Sequence, residues 1–129
     1  MDTEKERLYV ASRSSIRVMV EFLRDRGTIF VGTPSVECLA AHLSGWFYAQ
    51  GDRAADQEVW DHFLKFVAKK YRDTEHRSWN ALIGFHSLNS YEAYGKFFSD
   101  FDESVAQLLS TMTNANDAQN PPNDAPAGS

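Results

Sequence analysis

The segment that most constrains this fold is Ser90-Tyr-Glu-Ala-Tyr-Gly-Lys-Phe-Phe-Ser-Asp-Phe-Asp-Glu-Ser-Val-Ala-Gln-Leu-Leu109. Tyr94, Phe97, Phe98, Phe101, Val105, Leu108, Leu109 and Met112 recur at the three- and four-residue spacing of one helix face. Burying a large apolar side chain is worth roughly 1.5–3 kcal/mol, so a stripe this aromatic must dock on a core built by the rest of the chain. The same segment carries Glu92, Asp100, Asp102 and Glu103 but one base, Lys96. A core-forming helix with an acidic outside suits a protein that binds something better than one that does chemistry.

The remaining residues supply the helices for that core. Leu8, Ile16, Met19, Val20 and Leu23 fit one face of a first helix from about Glu4 to Arg24. Gly27 is a candidate helix stop, and Thr28-Ile-Phe-Val31 reads as a buried connector, too short for a helix and without a partner strand. Thr33 as cap and Pro34 at the first helical position open a second helix bearing Val36, Leu39, Leu43 and Phe47, which ends at Gly51-Asp52. A third helix, from about Ala54 to Tyr71, shows Trp60, Phe63, Leu64, Val67 and Tyr71 on one side. Arg72–Arg77 is a polar loop, Ser78 caps a short helix with Trp79, Leu82 and Ile83, and Ser90 caps the last. From Thr113 onward there is no aromatic residue and no Val, Leu, Ile or Met, so little apolar burial can offset the ordering entropy. The expectation is all-α: a compact single-domain bundle of about five helices over 1–112, with a disordered C-terminal tail over 113–129. About 112 residues can bury such a core without a disulfide or metal.

Charge and motifs narrow the function. Residues 1–77 balance 12 acids with 12 bases, whereas residues 78–129 hold Lys96 against six acids. That half lacks the Lys and Arg that phosphate contacts need, which argues against nucleic acid and for a cationic partner. No apolar run suits a membrane span, the N-terminus lacks a signal-peptide core, and Cys38 has no second cysteine; the expected location is cytoplasmic. Glu58 and His62 stand at i, i+4, but no third ligand follows at a metal-binding spacing, and no metal or cofactor is expected. Cys38 near a helix start would have a lowered pKa, yet no base accompanies it, and the nucleophile and phosphate-loop motifs are missing. An enzyme would need His62, His86 or Glu58 to converge on a pocket, and the expectation is that the chain is not one. Lys65, Lys69, Lys70, Arg72 and Arg77 read as a solvated helix end, with Asp61–Lys65 as a favourable pair. On the last helix, Glu92–Lys96–Asp100 reads as a solvent-facing ladder of charges.

Three blocks carry a resemblance. Arg24-Asp-Arg-Gly-Thr-Ile-Phe-Val-Gly-Thr-Pro-Ser-Val36 is similar to R-P-x-M-[YF]-[LV]-G-x-x-S-[IV], Ser78–Ile83 to G-W-x-x-I-I, and Glu92–Glu103 to E-A-F-x-x-F-F-x-L-[FL]-D-E. Together they resemble a family of small bacterial proteins that includes immunity proteins of polymorphic toxin systems. The chain departs from the pattern at Gly27-Thr28 and at Asp100, where an acid stands at an apolar position. The resemblance implies a scaffold and a partner toxin neutralised by occlusion of its active site, and it brings no catalytic residue. The acids and loop on the expected outer face, Tyr91, Glu92, Asp100, Asp102, Glu103, Asp73 and Glu75, are then the candidate partner-binding residues. The other reading is a helical adaptor or regulatory protein-interaction domain without a toxin partner.

Overall fold

The structure, a computed structural model, describes residues 14–119. Among them lie five helices and no strand: α1 (Ile16–Phe30), α2 (Val36–Ala49), α3 (Gln57–Lys70), α4 (Trp79–Phe85) and α5 (Ser90–Gln119). The all-α expectation holds. The part of the first predicted helix before Ser14 lies outside the described residues, as do residues 120–129 of the predicted tail. Residues 113–119 continue the backbone of α5.

Helix α5 packs on α2, α3 and α4, and α1 lies against α3. The middle of the bundle is aromatic. Phe63 of α3 sits 5.4 Å from Phe97 and 5.6 Å from Phe101 of α5, between ring centroids. Trp60 lies 5.0 Å from Phe63, and Trp79 of α4 lies 5.0 Å from Phe97. Offset and edge-on rings at such separations add about 0.5–1.5 kcal/mol per pair beyond the area they bury. Ile16, Val20 and Leu23 of α1, Val36, Leu39 and Leu43 of α2, and Leu82 and Ile83 of α4 close the core around them. On α3, Val59 is buried, whereas Leu64, predicted for the core face, is exposed. On α5 the stripe ends early: Leu109 and Met112 are 45% and 51% exposed because the helix outruns the body it packs on.

The ends of the helices explain the chain path. Ser15 caps α1, its Oγ accepting from Val18 N at 3.2 Å. Asp56, just ahead of α3, spends its carboxylate on α1: Oδ1 accepts from Ile16 N at 2.7 Å and Oδ2 from Ser15 Oγ at 3.0 Å. A negative group at a helix start satisfies free N–H donors and complements the dipole, so the two helix starts form one joint. Ser35, rather than Thr33, caps α2, accepting from Cys38 N at 3.3 Å, and Pro34 precedes the cap. Helix α2 ends as predicted, where Gly51 and Asp52 adopt φ of 75° and 64°. Asn89, rather than Ser90, caps α5, accepting from Tyr91 N at 3.0 Å and Glu92 N at 2.8 Å. The Ser90 hydroxyl instead donates to Glu37 Oε1 at 2.9 Å and ties α5 to the first turn of α2.

Gly27 does not stop the first helix, and the predicted connector at 28–31 is not a separate element. The helix kinks at Arg26 (φ −134°, ψ 28°) and continues to Phe30, with Val31 as its C-cap. The left-handed turn comes later, at Gly32 (φ 89°). Gly27 serves a different need, because a Cβ on it would collide with Tyr94 Oη. Its missing side chain lets the α5 tyrosine close against α1. Gly27→Ala is therefore expected to lower stability by about 1–2 kcal/mol, the usual cost of overpacking. Thermal or denaturant unfolding will measure this, and Gly27→Ala combined with Tyr94→Phe should recover part of the loss by removing the clashing oxygen.

Candidate functional site

The acids of α5, read from the sequence as facing solvent from both flanks and the back of the helix, do not all stay there. Asp100 is 2% exposed and faces inward. Its Oδ1 accepts from Lys70 Nζ at 2.7 Å and its Oδ2 from the Tyr71 hydroxyl at 2.6 Å, while Lys70 also reaches Glu103 Oε2 at 2.9 Å. The hydrogen bonds from Asp100 and Glu103 hold the Lys70 ammonium well above its ordinary range. Burial, then Asp100, pushes the Tyr71 phenol up as well. Asp100 is thus a tether between α3 and α5, not a surface anchor. The predicted Lys96–Asp100 rung is replaced by Lys70, and Lys96 keeps Glu92 at 3.7 Å. Asp102, on the opposite flank, pairs with Arg24 of α1 at 2.5 Å, and that guanidinium also lies 5.2 Å over the Phe98 ring. Asp61 accepts from Gln57 Nε2 at 3.2 Å, in place of the expected pairing with Lys65.

The other predicted residues meet at the end of the bundle formed by the α3–α4 loop, the α4 C-terminus and the α5 N-terminus. Asp73 shapes the loop, its carboxylate accepting from Glu75 N at 3.1 Å and Arg77 N at 2.8 Å. Arg77 pairs with Glu75 at 2.9 Å and lies 5.5 Å over the Phe85 ring. Phe85 sits 5.3 Å from the His86 ring, which stacks at 4.8 Å on Tyr71. Lys96 Nζ donates to the His86 carbonyl at 2.5 Å, beside Glu92. A continuous path of contacts therefore runs from Glu75 through Arg77, Phe85, His86 and Lys96 to Glu92.

Between the end of α4 and the start of α5 the chain leaves large apolar groups in water. Phe85, Leu88 and Tyr91 are 74%, 89% and 61% exposed. Single exposed apolar residues are ordinary, but three within seven positions, rimmed by charge, have the composition of an interaction surface. Tyr91 was legible from the sequence; Phe85 and Leu88 were not selected. The available signal was position, since Phe85 follows Ile83 by two residues and falls off the buried side of the short helix.

The histidines do not converge. His62 Nδ1 lies 2.9 Å from the Oγ of Ser104, which is buried, whereas His86 caps α4 and is exposed. Burial lowers the pKa of His42. Among the described residues, no three His, Cys, Asp or Glu side chains are grouped to hold a metal ion, and no helix is long and apolar enough to cross a membrane. Comparison with protein-family models, with curated proteins and with solved structures finds no match to this chain.

The tether sets a pH dependence. Lys70 and Tyr71 both hold their protons more tightly in the folded chain, so folding binds protons between the unfolded values, near ~10, and the raised folded ones. Their contribution is complete below about pH 10 and declines as pH rises beyond it. Denaturant titrations from pH 7 to about pH 11 should show that decline, and Asp100→Ala should flatten it. The same substitution is expected to cost about 1–3 kcal/mol at neutral pH, because Tyr71 loses its acceptor while half-exposed Lys70 can turn to Glu103 and water.

Proposed function

We propose that this chain is an immunity-type protein that binds a partner bacterial toxin in the cytoplasm and neutralises it by covering its active site. The observation that carries the reading is three large apolar side chains, Phe85, Leu88 and Tyr91, exposed within seven positions, with Arg77 over the Phe85 ring and Glu92 next in the chain to Tyr91. Aromatic side chains dominate interface energetics, and surrounding charges exclude water and choose partners, so this end of the bundle supplies both anchor and selector. The chain acts by binding, without chemistry of its own. Its excess of acids favours a cationic surface on the partner, such as a nucleic-acid-cleaving site would present.

Relative to the sequence expectation, the anchors shift. Tyr91 and Glu92 remain central, Asp73 and Glu75 sit in the adjoining loop, and Asp102 and Glu103 act at long range as part of the acidic field. Asp100 leaves the set. An adaptor without a toxin partner would use the same cluster, and the two readings part on the consequence of binding.

The test reads the gene immediately upstream for a toxin domain and co-expresses that domain with this chain; a neighbouring gene without one sinks the toxin reading. The wild-type chain should restore growth, and the triple variant F85S/L88S/Y91S should lose protection and weaken binding by at least about tenfold, since several anchors of more than 1 kcal/mol are removed. All three side chains are exposed, so its melting temperature should match that of the wild type. Binding to a non-toxic partner without any protective effect would favour the adaptor reading instead.

A further inference from the structure

A second surface lies away from that corner. A groove of about 780 Å³ runs between the first turns of α1 and the C-terminal half of α5. Val18, Val59, Phe101, Val105, Leu108 and Met112 give it an apolar lining. Along α5 it extends from Phe101 to Met112, about 16 Å at the helical rise of 1.5 Å per residue, or three turns. Its charged rim is Glu21, Asp56, Glu58 and Asp102 against Arg17. Arg24 pairs with Glu21 and Asp102, and the Asp56 carboxylate accepts backbone N–H bonds that leave its charge in place. Four carboxylates against two guanidiniums keep the rim acidic.

We propose that this groove receives an amphipathic helix of about three turns, apolar on one side and basic on its flanks, from a protein partner. The length matches helix-in-groove recognition, in which residues at i, i+3 or i+4, and i+7 enter an apolar channel. Met112 and Leu109, half-exposed at the open end, are contacts that adapt to what binds; methionine in particular reshapes at little cost. The charge selects against a second copy of this chain, which would bring a like-charged rim to the same place. It selects for Lys and Arg on the flanks of the occupant. The groove centre lies about 23 Å along α5 from Tyr91, so it works independently of the corner and does not rest on the toxin reading.

Methyl NMR of the full chain tests this directly, because it holds three methionines, of which Met112 reports on the groove and Met19 on the core. The probe is a synthetic 14-residue helix, with about that length chosen to span three to four turns, leucine on one face and lysine on its flanks. The expected result is a saturable shift of the Met112 methyl with Met19 unmoved. Leu109→Asp should weaken it by about tenfold, Glu58→Lys by severalfold, and replacing the lysines of the probe with glutamates by at least about tenfold. The corner variant F85S/L88S/Y91S should bind the probe as the wild type does. An unmoved Met112, or an equal response to a scrambled peptide of the same composition, overturns the proposal. So does a contact between the Met112 methyl and the Tyr9 ring in the free protein, which would make the chain's own N-terminal segment the occupant. A Met112 shift that depends on protein concentration without the probe would make it a self-association face and overturn the proposal equally.

Discussion

The seam between α3 and α5 carries the rest of the structure. Phe63 meets Phe97 and Phe101 there, Trp60 extends the cluster toward α2, and Trp79 seats α4 on its side. Aromatic rings bury large areas and pack in few geometries, so the seam fixes both the spacing and the rotation of the two helices. Rotation then decides everything that α5 presents elsewhere. It turns Tyr94 toward Gly27, Asp100 toward Tyr71, and Leu109 and Met112 out beyond the body.

The seam is closed by a polar lock. A buried carboxylate is tolerated when its charge is compensated and its lone pairs are filled, and Asp100 has an ammonium on one oxygen and a phenol on the other. Such groups contribute modestly to net stability and help choose one arrangement, since a small rotation of α5 would take the acid from both partners while it is still buried. Other acids are also spent within the fold: Asp56 on the start of α1, Asp73 on its own loop, and Asp102 on Arg24. Much of the acidity legible in the sequence is therefore engaged by groups of the fold itself.

Much of the fold could be read in the chain. The spacing of Val36, Leu39 and Leu43, and of Trp60, Phe63 and Val67, identified core faces that the structure retains. Errors fell where one residue type serves two needs. Glycine at 27 could terminate a helix or admit a close neighbour, and only the neighbour, Tyr94, distinguishes the two. Serine at 90 could cap, yet Asn89 one step earlier has the longer reach and takes the N–H groups. The candidate site was half legible. Tyr91, Glu92, Asp73 and Glu75 meet at one end, while Phe85 and Leu88 were passed over, because an apolar residue near a short helix is normally assumed to be core.

Asp100 marks the boundary between the two kinds of information. Ala93, Phe97, Asp100 and Ser104 are spaced four, three and four apart, the rhythm of a packed helix seam. Sequence by itself determined that α5 is a helix with a broad aromatic face and that an acid lies at its margin, because periodicity and side-chain chemistry are local properties. Tertiary structure decided that this acid faces inward, because burying a carboxylate depends on the Lys70 ammonium and the Tyr71 hydroxyl arriving from about thirty residues away. It also decided which apolar groups stay in water, because burial depends on what the neighbouring helices reach.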